Sequence, residues 1–310
     1  WYQYGGRLAF NYELSGIWIF WRICASHNYI KIFICFAELD FQAAEISGFG
    51  YRKGGKKLSR ELSIHLLFPV LNERLRLQSG IDRTMNYLKE NVFIPYQLTI
   101  LDNGSEDETP EIGMALSEKY PEVSYVRVGE RGVGVAFRKG IEINECALVG
   151  YMDIDLSTDI KYLGHTIELF QTRPELEYVN GSRFAKESDT KGRKWYRKIT
   201  SMGLVFLLKA VFHMKATDAV CGFTFLRKET AERLVKACGR DNGWFYTIEF
   251  LLRAERMGVK IYDMPVEWQE DYNTTVKVWK TIKNYLVQIY RLRKTFKEES
   301  AKAGGWRRKC

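Results

Sequence analysis

From residue 62 onward, apolar and polar positions alternate in blocks. Short apolar runs at 62–68, 96–101, 123–128 and 147–152 each end in a polar loop, and stretches with helical spacing separate them. Strand, helix, strand, helix over this length predicts an α/β protein with an open, mostly parallel sheet and helices on both faces. Ligands of such sheets lie beyond the carboxyl ends of the strands, so the loops that follow the runs are where chemistry is expected. They read Pro69-Val70-Leu71-Asn72-Glu73, then Asp102 to Thr109, then Gly129-Glu130-Arg131-Gly132-Val133-Gly134, then Asp153 to Asp159. Asn72 and Ser105 suit helix N-caps, and Pro110 suits a first helical turn. Asp102 fits an Asx turn as well as a ligand contact. Glu73, Asp153 and Asp155 are left without a structural role.

Asp153 and Asp155 stand one residue apart at the end of the fourth run. Residues i and i+2 of a strand point to one side, so the two carboxylates can face the same space. That suits a hard cation, Mg²⁺ or Mn²⁺, held by one or two carboxylates while substrate phosphates and waters complete its shell. An acidic triplet alone is a weak signal, since most such triplets are solvated turns. The glycines at 132 and 134 read first as a tight turn and second as a phosphate contact, because the full GxGxxG pattern is absent.

Composition narrows the classes. The chain has 310 residues, 46% hydrophobic and 27% charged, with a net charge of +9. The positive balance calls for an anionic partner: nucleic acid, membrane surface or phosphorylated substrate. No helix-turn-helix, zinc-finger or RNP pattern supports nucleic acid. The six cysteines show no CxxC pair, which favours reduced thiols in a cytosolic setting, and the four histidines form no HExxH pair. Residues 1–60 differ from the rest and are expected to be a leader outside the chemistry or an interfacial segment. Within them the stretch 16–37 is apolar, but Arg22 and Lys31 interrupt it. Each central charge costs roughly 2.5 to 3.5 kcal/mol on insertion scales, which disfavours a span.

The ordered set Phe68-Pro69-Val70-Leu71-Asn72-Glu73, Leu101-Asp102-Asn103-Gly104-Ser105 and Asp153-Ile154-Asp155 resembles the successive motifs of family 2 glycosyltransferases. Further on, Gly181-Ser182-Arg183-Phe184, Asp218-Ala219-Val220-Cys221-Gly222-Phe223, Trp244 to Glu249 and Met264-Pro265-Val266-Glu267-Trp268 resemble the polyprenyl-phosphate and dolichyl-phosphate hexosyltransferases. The resemblance spans about 62–280. It implies the GT-A fold, a Rossmann-like sheet, over a catalytic domain at 61–272, followed by a basic amphipathic helix and tail at 273–310. It also implies a nucleotide-sugar donor with Mg²⁺ or Mn²⁺. Carried over residue by residue, Pro69, Leu71, Glu73 and Asp102 surround the nucleoside, and Asp153 and Asp155 flank the metal-bound diphosphate. Ser182, Arg183 and Asp218 lie near the acceptor or a phosphate, where a guanidinium can bond two oxygens at once. The family's Gly-Lys-Gly is Gly132-Val133-Gly134 here, so Arg131 or Arg138 is expected to replace the missing lysine. The second acid of its Asp-Asp-Gly-Ser is Asn103.

The acceptor decides whether a base is needed. Relatives that glycosylate hydroxyls carry a Glu-Asp pair, and the position after Glu249 is Phe250. A phosphate acceptor is already an anionic nucleophile and needs no such base, which favours a polyprenyl phosphate. Glu249 either orients the acceptor side or is a buried helix glutamate paired with an arginine. From 274 to 296, Trp279, Ile282, Leu286 and Ile289 recur at helical spacing, with seven lysines and arginines between 277 and 297, and Lys277 stands where relatives place a phosphate contact. This helix either lies on an anionic bilayer, at about 1 kcal/mol per surface-near cation, or packs on the catalytic domain. The helix after Arg193, from Trp195 to Leu208, is apolar enough to face a membrane or the core. The expected location is the cytoplasmic face of a membrane, peripherally, or otherwise the cytoplasm. A membrane protein or a second copy of the chain stays open as a further partner. Two other readings stand beside this one: transfer to a saccharide or protein hydroxyl, and a nucleotide-binding α/β protein without transfer activity.

Overall fold

The computed structural model describes residues 9–14, 17–23, 30–36, 62–192, 195–269 and 278–307. The chain divides into two compact units, 1–57 and 58–310. The first holds an antiparallel meander of β1 (Ala9–Leu14), β2 (Ile17–Ile23) and β3 (Ile30–Phe36). The apolar stretch 16–37, considered above as a span or an interfacial segment, contributes the second and third of these strands. Its Ile, Phe and Trp residues favour a pleated sheet. Among the described residues no helix is long and apolar enough to cross a membrane.

In the second unit, strands and helices alternate as the periodicity predicts: β4 (Ile64–Val70), α1 (Leu77–Asn91), β5 (Tyr96–Asp102), α2 (Thr109–Lys119), β6 (Val123–Arg127), α3 (Val133–Glu142), β7 (Leu148–Met152) and α4 (Lys161–Thr172). Then come β8 (Tyr178–Ser182), β9 (Asp189–Lys191), α5 (Trp195–Phe212), β10 (Phe223–Arg227), α6 (Lys228–Ala237), α7 (Phe245–Arg256), β11 (Ile261–Pro265), β12 (Glu267–Gln269) and α8 (Val278–Arg307). Seven strands form one sheet in the order β11-β8-β10-β7-β4-β5-β6, and β10 alone runs antiparallel to its neighbours.

The strand period explains the layers. Ile64, Leu66, Phe68 and Val70 of β4 bury one face against α1, α2 and α4, while Leu67 joins Leu101, Val149 and Tyr151 beneath α3, α6 and α7. Each fully buried Leu or Phe contributes roughly 1.5 to 3 kcal/mol, so both faces must be covered. The chain steps outward from β4 to β5 to β6 and returns to the other side of β4 as β7, which puts the topological switch point between β4 and β7. Their ladder ends at the pair Leu67 and Tyr151, two residues before Pro69, which has no N–H to extend it. The strands part there and leave a crevice.

Candidate active site at the strand ends

The loops after β4 and β5 are stitched into one wall. Ser105 Oγ accepts the N–H of Asn72 (2.9 Å), Asn72 Oδ1 accepts that of Glu106 (2.9 Å), and Thr109 Oγ1 accepts that of Glu73 (2.8 Å). Asn72 holds φ at 55°, a left-handed turn that asparagine tolerates. The capping roles expected for Asn72 and Ser105 are thus replaced by a cross-loop role; α1 is preceded by Arg76 and α2 by Glu108, while Pro110 does take the first turn. Asp102, fully buried, accepts the N–H of Ser105 (2.8 Å) and the hydroxyl of Tyr125 (2.6 Å). Asn103 is buried with its side-chain oxygen unpartnered. Pro69 and Leu71 are partly exposed on this wall, and Glu73 accepts a 2.6 Å bond from Arg76.

Across the crevice, Asp153 and Asp155 follow β7, half-buried among buried neighbours. Tyr151, two residues before Asp153 and so on its side of the strand, donates its hydroxyl to Asp153 Oδ1 (2.8 Å). Ser157 N–H donates to Asp155 Oδ1 (2.9 Å), and Leu156 adopts φ 51°, a strained backbone for a leucine. Each carboxylate keeps Oδ2 without a hydrogen bond among the described residues. Burial, then the charge of Asp155, push the Asp153 carboxyl up to about 6, with Glu73 adding to the effect. Asp153 Oδ2 occupies the space a side chain would need at residue 222: a Cβ on Gly222 would stand 1.8 Å from it. Two crowded carboxylates with an oxygen each to offer fit a hard divalent cation completed by phosphate and water.

Arg183 lies beside this pair. Its Nε and one terminal nitrogen grip Asp218 at 2.7 and 3.0 Å, its central carbon lies 5.5 Å from the ring centres of Phe184 and Trp268, and its other terminal nitrogen, Nη1, has no hydrogen-bond partner among the described residues. Burial opposes the charge of Arg183, but Asp218 more than restores it, and the guanidinium titrates above its ordinary range; Asp218 is lowered by the same pairing against its own burial.

Like Asp102, three further motif residues expected at the ligands have their side chains engaged by other protein groups. Asp218 is fully buried, and its carboxylate accepts from the Arg183 guanidinium and from the N–H of Val220. Ser182 is also fully buried; its Oγ bonds Thr217 (2.7 Å) and accepts the N–H of Phe184 and Ala185, closing a turn. Glu249 is a buried helix acid that accepts from Arg253 Nε (2.7 Å) and Gly239 N–H (2.9 Å), the pairing alternative raised from sequence. Arg138 is occupied as well, by Asp241 O and Asn242 Oδ1, and stacks on Tyr246. Arg131 is exposed, with Glu106 3.9 Å away. Lys277 lies outside the described residues. The sequence motifs do not mark Tyr125 or Tyr151; Tyr151 stands two residues before Asp153, and Tyr125 lies in β6 opposite Ile100, two residues before Asp102.

The profile of the family described as glycosyl transferase family 2 matches residues 66–235. Glycosyltransferase AglD of Haloferax volcanii is 26% identical over 234 residues, covering 74% of this chain and 37% of that protein. Dolichyl-phosphate beta-glucosyltransferase ALG5A of Trichomonas vaginalis is 28% identical over 71% of this chain and 70% of its own length. The mouse dolichyl-phosphate beta-glucosyltransferase is 26% identical over 77% and 80%. Among solved structures, glucosyl-3-phosphoglycerate synthase of Mycobacterium tuberculosis in complex with Mn²⁺ and UDP-glucose superposes with a TM-score of 0.56 at 16% identity, over 75% of this chain and 79% of that one, which is a likeness of fold. The family match spans more than half of the chain and contains the whole strand-end crevice with both carboxylates: this protein belongs to glycosyl transferase family 2 and is a glycosyltransferase.

Proposed function

We propose that the protein transfers a hexose, with inversion, from a UDP- or GDP-linked sugar to a polyprenyl or dolichyl phosphate, using Mg²⁺ or Mn²⁺ at the cytoplasmic face of a membrane. The observation that carries the reading is the Asp153 and Asp155 pair at the switch point, each with one oxygen to offer, with the Arg183 guanidinium near enough for its charge to act on Asp153. A divalent cation bound there supplies Lewis-acid stabilisation of the departing diphosphate. Asp153 and Asp155 hold it, and Tyr151 fixes which oxygen of Asp153 faces inward. The wall of Pro69, Leu71 and Glu73 takes the nucleoside, and Asp102, buried behind it, holds the wall in place through Ser105 and Tyr125. Arg131 and Arg183 are the cations for phosphate oxygens.

The acceptor class rests on chemistry and on the dolichyl-phosphate transferases among the relatives. Phe250 packs its ring 5.1 Å from Phe137 and 5.9 Å from Tyr246, so hydrocarbon stands where a base for a hydroxyl would be. An anionic phosphate supplies its own nucleophilic oxygen. Peripheral membrane contact is supported by α5, where Trp195, Ile199, Met202 and Phe206 form one exposed stripe at spacings of three and four, Trp195 and Phe206 being 74% and 75% accessible. We read 61–272 as the catalytic domain and 273–310 as its membrane-side helix and tail.

The test supplies radiolabelled UDP-glucose or GDP-mannose with a short polyprenyl phosphate, 3-phosphoglycerate or a free saccharide. Metal-dependent label in the lipid extract is expected. Faster transfer to either hydroxyl acceptor refutes the phosphate reading.

A further inference from the structure

The loop at 239–243, between α6 and α7, joins three parts of the molecule that are distant in sequence. On one side it grips the glycine loop after β6. Asn242 O accepts the N–H of Gly134 (3.0 Å), Asn242 Nδ2 donates to Glu130 (2.8 Å), and the two terminal nitrogens of Arg138 donate to Asp241 O (2.7 Å) and Asn242 Oδ1 (2.6 Å). The approach is backbone to backbone. A Cβ on Gly132, whose φ is +143°, would stand 1.9 Å from Asn242 O, and one on Gly134 would stand 2.4 Å from Asp241 O. On the other side, Gln288 of α8 donates Nε2 to Asp241 Oδ2 (2.6 Å), while Asp241 Oδ1 accepts the N–H of Gly243 (2.9 Å) and folds the loop on itself.

We propose that Gln288, Asp241, Asn242 and Arg138 form a latch by which the C-terminal helix holds the 129–134 loop in its donor-binding shape, making Asp241 and Gln288 positioning residues of the transferase. The inference rests on the nucleotide-sugar reading above. It explains why both loop glycines are needed in a segment without the full phosphate-loop pattern: they admit the latch. It also gives Arg138 a role other than the phosphate contact expected of it, because its guanidinium closes the latch and leaves Arg131, on the latched loop, to reach the anion. An isolated loop of this length samples many conformations, and holding it in one before the donor arrives reduces the ordering cost of binding.

The test uses the full chain with the substitutions Gln288→Leu, Asp241→Ala and the conservative Asp241→Asn. Amide hydrogen exchange over 129–136 is measured without ligand, and KM for UDP-glucose and kcat are measured with Mn²⁺. Gln288→Leu and Asp241→Ala are expected to speed exchange of that segment about tenfold and to raise KM by a similar factor with kcat within about twofold, and Asp241→Asn is expected to recover most of both. Unchanged exchange in Gln288→Leu overturns the latch. Faster exchange with an unmoved KM overturns its positioning role. If the wild-type protein uses no UDP- or GDP-sugar while Gln288→Leu still loosens 129–136, the donor reading fails and the latch stands, so the two failures are distinguishable.

Discussion

The two halves of the sheet's carboxyl edge carry similar numbers of polar motif residues, yet they behave differently. At the end of β7, Asp153 and Asp155 are half-buried and each leaves an oxygen without a hydrogen bond. At the end of β8 and in the loop before β10, Ser182 and Asp218 are fully buried, and their side chains bond other protein groups. Buried polar groups are expensive unless satisfied, so a satisfied, inaccessible motif residue is there to hold something. A crowded carboxylate with an oxygen to offer is there to bind something. The difference separates carboxylates that keep an oxygen open from side chains engaged within the protein.

Breaking the comparison at its first side should have the largest effect. Asp155→Ala is expected to lower transfer by on the order of 10³-fold while leaving the urea midpoint near that of the wild type, since it removes charge stabilisation in the reaction and no core contact. Transfer within tenfold of wild type would move the site elsewhere. On the other side, Asp218→Ala strands the Arg183 guanidinium in a buried site and is expected to cost about 3 to 5 kcal/mol of stability, read from urea unfolding. The double substitution Arg183→Leu with Asp218→Leu should regain most of that stability without regaining transfer. A double variant as unstable as the single one would mean that the pair holds the fold and not the arginine's aim.

The sheet was legible because its strands are short apolar runs with a period of two, and the acid pair was legible because it closes one of them. The burial of Ser182, Asp218 and Glu249 was not legible. A motif gives residue types in order, but whether a carboxylate faces ligand or arginine depends on partners 35 residues away, as with Asp218 and Arg183, or on the same helix four residues on, as with Glu249 and Arg253. Nor did sequence reveal that Asn72 and Ser105 bridge two loops, because good N-cap residues make equally good cross-loop acceptors. On α8 the anticipated apolar line holds at Ile289, which enters the core with Leu292 and Phe296, and fails at Leu286, which is exposed. A helical repeat of apolar residues does not reveal which of two adjacent stripes meets the domain.

A pH experiment sharpens the rule that buried polar groups support structure. His65 in β4 is buried, bonds Thr99 (2.7 Å) and has its pKa lowered to about 4, mainly by burial, with Asn144 partly opposing. The unfolded chain takes up this proton near 6.5, while the folded chain resists it until about pH 4. Its effect on stability is therefore absent above pH 6.5, grows as pH falls through that window and levels below 4, reaching about 3 kcal/mol. His65→Gln should flatten the stability profile between pH 6.5 and 4 by that amount relative to wild type; parallel profiles would show that the imidazole is solvated.

The smallest effects belong to the surface, where the comparison extends to the helices. On α8, Leu286, Val287 and Tyr290 are exposed on the same flank as Lys283, Lys294 and Lys297, opposite the packed line of Ile289, Leu292 and Phe296. A flank that mixes apolar and basic residues fits an anionic interface, and each cation near such a surface contributes about 1 kcal/mol. Lys283→Gln, Lys294→Gln and Lys297→Gln should each weaken partition onto vesicles containing phosphatidylserine about fivefold at low salt, with no change on neutral phosphatidylcholine vesicles. Transfer to a water-soluble short-chain polyprenyl phosphate should be unaffected, because none of the three touches the crevice. Equal losses on neutral and anionic vesicles would mean that the lysines act through their methylene stems, and no loss on either would leave the α5 stripe of Trp195, Ile199, Met202 and Phe206 as the surface that meets lipid.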